Sequence, residues 1–324
     1  MPAFLPSLKQ NGHLERIHIT VCIVGSRKIE GRDDYGSQGW DIFAPNLSIY
    51  GFDADPEACE QANADIEARQ VNWTEKHIPL ALWNCEGSFP IYVTNFPGCS
   101  SLYPPNESYL ERFQSQNLDW HKLVATVEIE TTTLDNFCAT EGINEIDFLQ
   151  LDVQGAEKQV LEGGIKILEK SIISLKTEVE FNYLYVGQPL FSDIDIYLRD
   201  KGFRLFDLSL EGRAVRKDSL ISSSIHPGTL FVGNAFYFRD LVQGNVANNP
   251  NTPEKMFKLA CIADMLEFTD YALEILAYLT RNYGNDENYN FAREIVESLS
   301  QIPPLIEKGL DALPIIVEMK NYLT

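Results

Sequence analysis

Asp152, Gln154, Gly155 and Glu157 bring two carboxylates, an amide and a glycine into six consecutive positions, the densest chemistry in this chain. A carboxylate there can take a proton from an acceptor or hold hydroxyl donors, and an amide can orient either one. They sit inside IDFLQLDVQGAEKQVLEGG, residues 146–164. There the apolar run Ile146, Phe148, Leu149, Leu151 and Val153 gives way to Ala156, Val160, Leu161, Ile165 and Leu168 at helical spacing. The pattern predicts a buried parallel strand, a turn and an amphipathic helix. That puts the four residues at the strand's carboxyl end, the edge where open α/β sheets bind ligands. A carboxylate that simply caps the following helix is the competing explanation.

Two further acids, Glu178 and Glu180 in ISLKTEVEF (173–181), point to one face of a strand. Such a pair shares a cation, binds a donor-rich substrate or raises each other's pKa, unless it lies on the solvated face of an edge strand. The histidines His77, His121 and His226 lack ligand spacing, and no metal site is expected. Ser100 and Ser101 in PGCSSL, and Tyr183, Tyr185 and Gln188 after the Glu178 strand, are candidate contacts for an acceptor. Ordinary turn chemistry accounts for the two serines almost as well.

The 146–164 segment resembles the FkbM family of S-adenosylmethionine-dependent methyltransferases, together with TTTLDNF (131–137), EVEFNYLYVGQPLFSDIDIYLRDKGF (178–203) and IYGFDADPEACEQANA (49–64). The four blocks follow the family's order, and the resemblance runs from about residue 17 to about residue 240. It implies S-adenosylmethionine as cofactor and O-methylation of a saccharide or secondary-metabolite hydroxyl. N-methylation of a peptide side-chain amide is the alternative acceptor chemistry. Gly25 and Ser26 then give the cofactor a close backbone approach after the first strand. Asp53, in GFDADP, corresponds to the acid that holds the ribose, since one carboxylate accepts two hydroxyl donors; a solvated residue at the helix entry is the other reading of it. A nicotinamide dehydrogenase would also place an acid at Asp53, but the chain lacks the compact GxGxxG such an enzyme needs after its first strand.

Because the sulfonium already activates the methyl group, the protein has to align the acceptor and assist its proton loss. Asp152 is the first candidate for both cofactor contact and catalysis, with Glu157, Glu178 and Glu180 behind it. The chain departs from the family at three points: Ile23 replaces an acid two residues before the first glycine, Gln150 replaces a lysine, and Asn234 replaces an acid of the last strand. Glu30, Asp33, Asp34 or Asp41 would have to substitute for the first of these. The departures keep open a second class of function, a degenerate cofactor-binding module whose helical tail recruits a partner.

Several elements must position these residues. IHITVCIVG (17–25) reads as the first strand and LSIYGFDAD (47–55) as the second, joined by a loop holding Gly31, Gly36 and Gly39. Pro56 opens a helix whose Ala58, Cys59, Ala62 and Ile66 share one face. HIPLALW (77–83) predicts a third strand, and PIYVTN a hairpin excursion with strand pairing near VEIETTTL. Strands follow at 173–181, 203–210 and 228–240, with a helix near 191–201. The alternation implies an α/β, Rossmann-like doubly wound, mostly parallel sheet of seven strands with an antiparallel edge strand. The Pro- and Asn-rich stretch after Asp240 marks a boundary, beyond which the sequence is helical with Thr252 as N-cap. The expected organisation is therefore an extension (1–16), a catalytic domain (17–242) and a linker with a small helical appendage (243–324) suited to a homo-oligomer or partner contact.

With 324 residues and 44% hydrophobic content the chain can build a sizeable core. Its formal charge of −21 disfavours nucleic acid and anionic membranes, which demand clustered Lys and Arg. Six cysteines without a CxxC pair read as reduced thiols, and neither a signal segment nor a membrane span is evident, so the cytoplasm is the expected compartment.

Overall fold

The computed structural model describes residues 2–28, 39–114, 117–221, 223–242 and 252–323. Gly31, Gly36, Glu30, Asp33 and Asp34 of the first loop, and residues 243–251 of the boundary stretch, lie outside the described residues.

The apolar runs expected to be strands are strands, except that the single strand expected at 77–83 is broken at Leu80 into the end of one strand and a second short one that belong to different sheets. In chain order the strands are β1 (Ile19–Val24), β2 (Leu47–Asp53), β3 (Thr74–Pro79), β4 (Ala81–Leu82), β5 (Gly87–Thr94) and β6 (Phe113–Gln114). After these come β7 (Leu123–Thr132), β8 (Phe148–Leu151), β9 (Ser174–Glu180), β10 (Phe203–Arg216) and β11 (Thr229–Arg239). The main sheet has the order β3-β2-β1-β8-β9-β11-β10-β6, and its first five members are mutually parallel. β1 is buried at all six positions, as a central parallel strand must be when both faces are covered. A separate three-stranded sheet, β4-β7-β5, holds the hairpin excursion.

Two expectations about the sheet need correction. It has eight strands, because the two-residue β6 adds to the far end of β10. The antiparallel strand β11 is internal: it pairs with β9 on one side and β10 on the other, so it is not an edge. The cause is the connection on each side. The crossover through helix Phe191–Asp200 leaves a gap between β9 and β10, and the return from β10 is a hairpin that fills it.

Two layers cover the sheet. Helices Leu134–Glu141, Glu157–Gly163, Ile165–Lys170 and Phe191–Asp200 bury one face, around Cys22, Val24, Leu149 and Leu151. The other face, around Val21, Ile23 and Phe148, is covered by helix Leu5–Gln10 together with Pro253–Met265, Thr269–Tyr283, Ala292–Leu299 and Pro314–Met319. Helix Leu5–Gln10 and the C-terminal helices belong to one continuous core with β1 and β2.

Helix Pro253–Met265 is buried at every position from Lys255 to Met265, the signature of a helix enclosed on all sides. Its polar members are paired. Asp264 accepts the backbone N–H groups of Ala3, Phe4 and Leu5 at 2.9, 2.8 and 2.8 Å, which fixes the entry to helix Leu5–Gln10. Lys258 donates to buried Asp147 at 3.1 Å, and Asp147 also accepts the Thr20 amide at 2.9 Å. The C-terminal layer is thus tied to the sheet beside β8, the strand that carries Asp152 at its end.

Candidate active site

β1, β2 and β8 end side by side, and their carboxyl ends border a cavity of about 580 Å³. Gly25, Asp53 and Asp152, one from each strand end, all line it. Gly25 is required by contact rather than by donor chemistry. Its amide and that of Ser26 both donate to the Phe52 carbonyl, at 2.9 and 2.8 Å, and so are spent within the protein. The left-handed φ of +85° at Gly25 lets β1 pass against the backbone of Asp152. Ser26 itself is buried, its Oγ within 3.0 Å of His77 Nδ1, and it does not line the cavity. His77, to which sequence gave no role, thereby anchors the first turn.

Asp53 accepts the Asp55 amide at 2.8 Å through Oδ1. Burial raises its pKa, while that amide and nearby Arg27 pull it back down. Arg27, which sequence reasoning missed, lies with Nη2 3.9 Å from Asp53 and pairs directly with Asp55. Asp55 also caps helix Pro56–Arg69 by accepting the Glu57 amide. Asp53 is thus kept distinct from the capping carboxylate, with its charge supported by a cation on the same rim.

The turn after β8 is built by backbone strain and side-chain bonds together. Gln154 has φ +56° and Gly155 φ +91°. A Cβ at Gly155 would come within 3.0 Å of Gln188 Nε2. The Gln154 amide donates to Asp152 Oδ1 at 2.8 Å and to Glu178 Oε2 at 2.7 Å, and accepts from the Tyr185 hydroxyl at 2.8 Å. Ser101 Oγ donates to the Gln154 carbonyl at 2.7 Å. Asp152 is exposed to the cavity, whereas Glu157 closes the turn behind it by accepting the Val153 amide at 2.8 Å.

Glu157, Glu178 and Glu180 do not line the cavity. They form a group behind Asp152, Glu157 and Glu180 buried and Glu178 half-buried, with one carboxylate oxygen of each within 4.8 Å of the others. Two ionised carboxylates at that separation repel by roughly 3 kcal/mol at an effective dielectric of 20. The group therefore retains protons. Burial pushes Glu157 up to about 7, and it pushes Glu178 and Glu180 well above the carboxylate range, with the charge of Asp152 adding to all three.

Ser100 and Ser101 line the cavity near Asp152. Tyr183 and Gln188 do not: Tyr183 is exposed to solvent and Gln188 is buried, with its Oε1 accepting the Tyr185 amide. Of the three departures, Gln150 is on the cavity wall. Ile23 is packed in the core beneath the C-terminal helices, and Asn234 sits opposite Glu178 in the sheet and donates to Glu211 at 2.6 Å. Sequence reasoning also missed the far wall, where Ile91 and Val93 of β5 meet Val127 and Ile129 of β7. Their alternation in PIYV and LVATVEIE was the available signal.

The family model for the methyltransferase FkbM domain matches residues 41–205, which contain β2, β8, β9 and the acids between them. The chain belongs to the FkbM methyltransferase family. This FkbM protein is similar to the 2-O-methyltransferase NoeI of Sinorhizobium fredii, 25% identical over 186 residues that cover 54% of this chain and 71% of NoeI. Among solved structures, the FkbM methyltransferase of Methylobacillus flagellatus overlays with a TM-score of 0.39 at 10% identity. That overlay covers 68% of this chain and 44% of that one. TrmK of M. capricolum, solved with S-adenosylhomocysteine, overlays with a TM-score of 0.32 at 9% identity, covering 96% and 95% of the two chains. The protein is a methyltransferase.

Proposed function

We propose that this FkbM methyltransferase uses S-adenosylmethionine to methylate a hydroxyl oxygen on a saccharide or secondary-metabolite acceptor. The observation that carries the reading is the meeting of Gly25, Asp53 and Asp152 on one cavity at the carboxyl edge of parallel strands. The residues present fit the cofactor's chemistry: Asp53 offers a carboxylate to paired hydroxyls, and Phe52, Ala54, Pro56 and Leu80 offer an apolar surface to a base. When bound, S-adenosylmethionine supplies a methyl group already activated by its sulfonium.

The protein's own work is positioning and proton management. Asp152, exposed to the cavity and held by Gln154, accepts the proton of the acceptor hydroxyl. Gln154 is held in turn by Tyr185, Ser101 and Glu178, so the base is fixed before the acceptor arrives. The protonated group behind it keeps negative charge from accumulating beside Asp152. The similarity to NoeI supports oxygen over nitrogen as the accepting atom. The net charge of −21 supports an uncharged or cationic acceptor over nucleic acid, and six unpaired cysteines suit a reducing cytoplasm. No helix among the described residues is long and apolar enough to cross a membrane.

The test is transfer of a carbon-13-labelled methyl group to a panel of glycosides, hydroxylated natural products and Asn- or Gln-containing peptides, with the product bond read by NMR. An oxygen-bound label is expected. A nitrogen-bound label would replace the acceptor assignment, and no transfer to any acceptor class by protein that binds the cofactor would overturn it.

A further inference from the structure

The far wall of the cavity says what kind of acceptor fits. β5 and β7 pair antiparallel, with Ile91 opposite Val127 and Val93 opposite Ala125. By strand alternation, Ala125, Val127 and Ile129 share the face that bears Ile91 and Val93, as far as the bulge after Val93, where Leu123 comes opposite Thr94 instead. Over residues 125–130 of β7 that face has no polar side chain, whereas the reverse face carries Thr126, Glu128 and Glu130.

An antiparallel hairpin with one apolar face ordinarily packs that face on a core. Here four of these five residues, Ile91, Val93, Val127 and Ile129, line the cavity, and Val127 is 48% exposed, so the face is only partly covered by protein. It is continuous with the cavity that Asp152 borders. A bare saccharide would be met by hydrogen-bonding side chains, and β5 and β7 contribute none to the lining.

We propose that the β5–β7 face binds an apolar body, an alkyl or aryl group, attached to the molecule whose hydroxyl is methylated. This rests on the reading of the cavity as a methyltransferase site and adds a substrate class to it. Each methylene buried against the wall is worth about fourfold in affinity.

The probes are n-octyl β-D-glucopyranoside, kept below its micelle concentration, and methyl β-D-glucopyranoside. Each is titrated calorimetrically into the full chain with and without saturating S-adenosylhomocysteine. The octyl glycoside is expected to bind saturably at one site, and the methyl glycoside to give no binding over the same range. Val127→Asp, at a half-exposed position, should weaken octyl binding at least tenfold, and Val127→Leu should preserve it. Affinity for S-adenosylhomocysteine should stay within twofold in both variants.

Octyl binding that is absent, or equal in Val127→Asp, would overturn the proposal. So would a matching loss of S-adenosylhomocysteine affinity, which would assign the wall to the cofactor. A wild-type dimer that Val127→Asp converts to monomer, read by light scattering, would also overturn it and assign the face to a second copy of the chain. Failure of the methyltransferase reading shows separately, as wild-type protein that does not bind S-adenosylhomocysteine.

Discussion

A Cβ added to Gly25 would stand 1.8 Å from the carbonyl oxygen of Asp152, and the Asp152 amide donates to the Val24 carbonyl at 2.9 Å. The two strand ends that carry the site therefore touch backbone to backbone, and any side chain at position 25 forces them apart. Gly25→Ala combines this clash with a φ of +85° that L residues rarely adopt. It should cost about 2 kcal/mol or more of stability, read by urea unfolding, and weaken S-adenosylhomocysteine binding. A variant as stable as wild type would show that the strands can separate freely.

Gln154 holds Asp152 and Glu178 through one amide. In Gln154→Ala both carboxylates lose that donor and the proton acceptor loses its fixed direction. Expected is a fall in kcat of at least tenfold with S-adenosylhomocysteine affinity within threefold of wild type. Equal losses in both would make Gln154 a residue that shapes the cofactor site instead.

The buried acids make a prediction about pH. Glu157, Glu178 and Glu180 hold their protons more tightly folded than unfolded. Above about pH 4.5 the unfolded chain releases protons that the folded chain keeps, so their contribution to stability is fully present at low pH. It is lost as pH rises toward and past 7, by at most about 1.4 kcal/mol per pH unit for each proton. Glu180→Gln removes one of these groups without removing its bulk. The difference in unfolding free energy between Glu180→Gln and wild type should move in favour of the variant from pH 5 to pH 8. A difference that stays flat, or moves the other way, would mean the acids are ionised in the folded protein.

Lys258 tests whether the C-terminal helices belong to the fold. Removing it leaves Asp147 buried without its cation, a loss on the order of 3–5 kcal/mol. Lys258→Ala should lower the urea midpoint of the whole protein in a single transition. Two separated transitions, with the sheet unaffected, would show that the helical layer folds by itself.

The sequence disclosed the strand ends better than the layers around them. Asp53 and Asp152 were legible because each follows an apolar run and precedes a helix, a local pattern that fixes a residue at the sheet's carboxyl edge. The cover of the sheet was not legible. The helices that bury Val21 and Ile23 come from both ends of the chain, and no periodicity in residues 253–323 says which face they will bury. The same limit applies to Glu157, Glu178 and Glu180. Sequence groups them as site acids, but only the folded arrangement shows that Asp152 meets the cavity while the other three lie behind it. The place of β11 escaped for a topological reason, since a hairpin return can fill a gap or extend an edge with the same residues.

The central claim is that the edge formed by Gly25, Asp53 and Asp152 holds a nucleoside cofactor through Asp53. Calorimetric titration of S-adenosylhomocysteine into wild type, Asp53→Asn and Asp53→Ala tests it most directly. Saturable binding by wild type is predicted, with at least a tenfold loss in Asp53→Ala and a smaller one in Asp53→Asn, in proteins of unchanged fold. Wild-type protein free of copurified cofactor that does not bind, or an Asp53→Ala variant that binds as tightly as wild type, would contradict it.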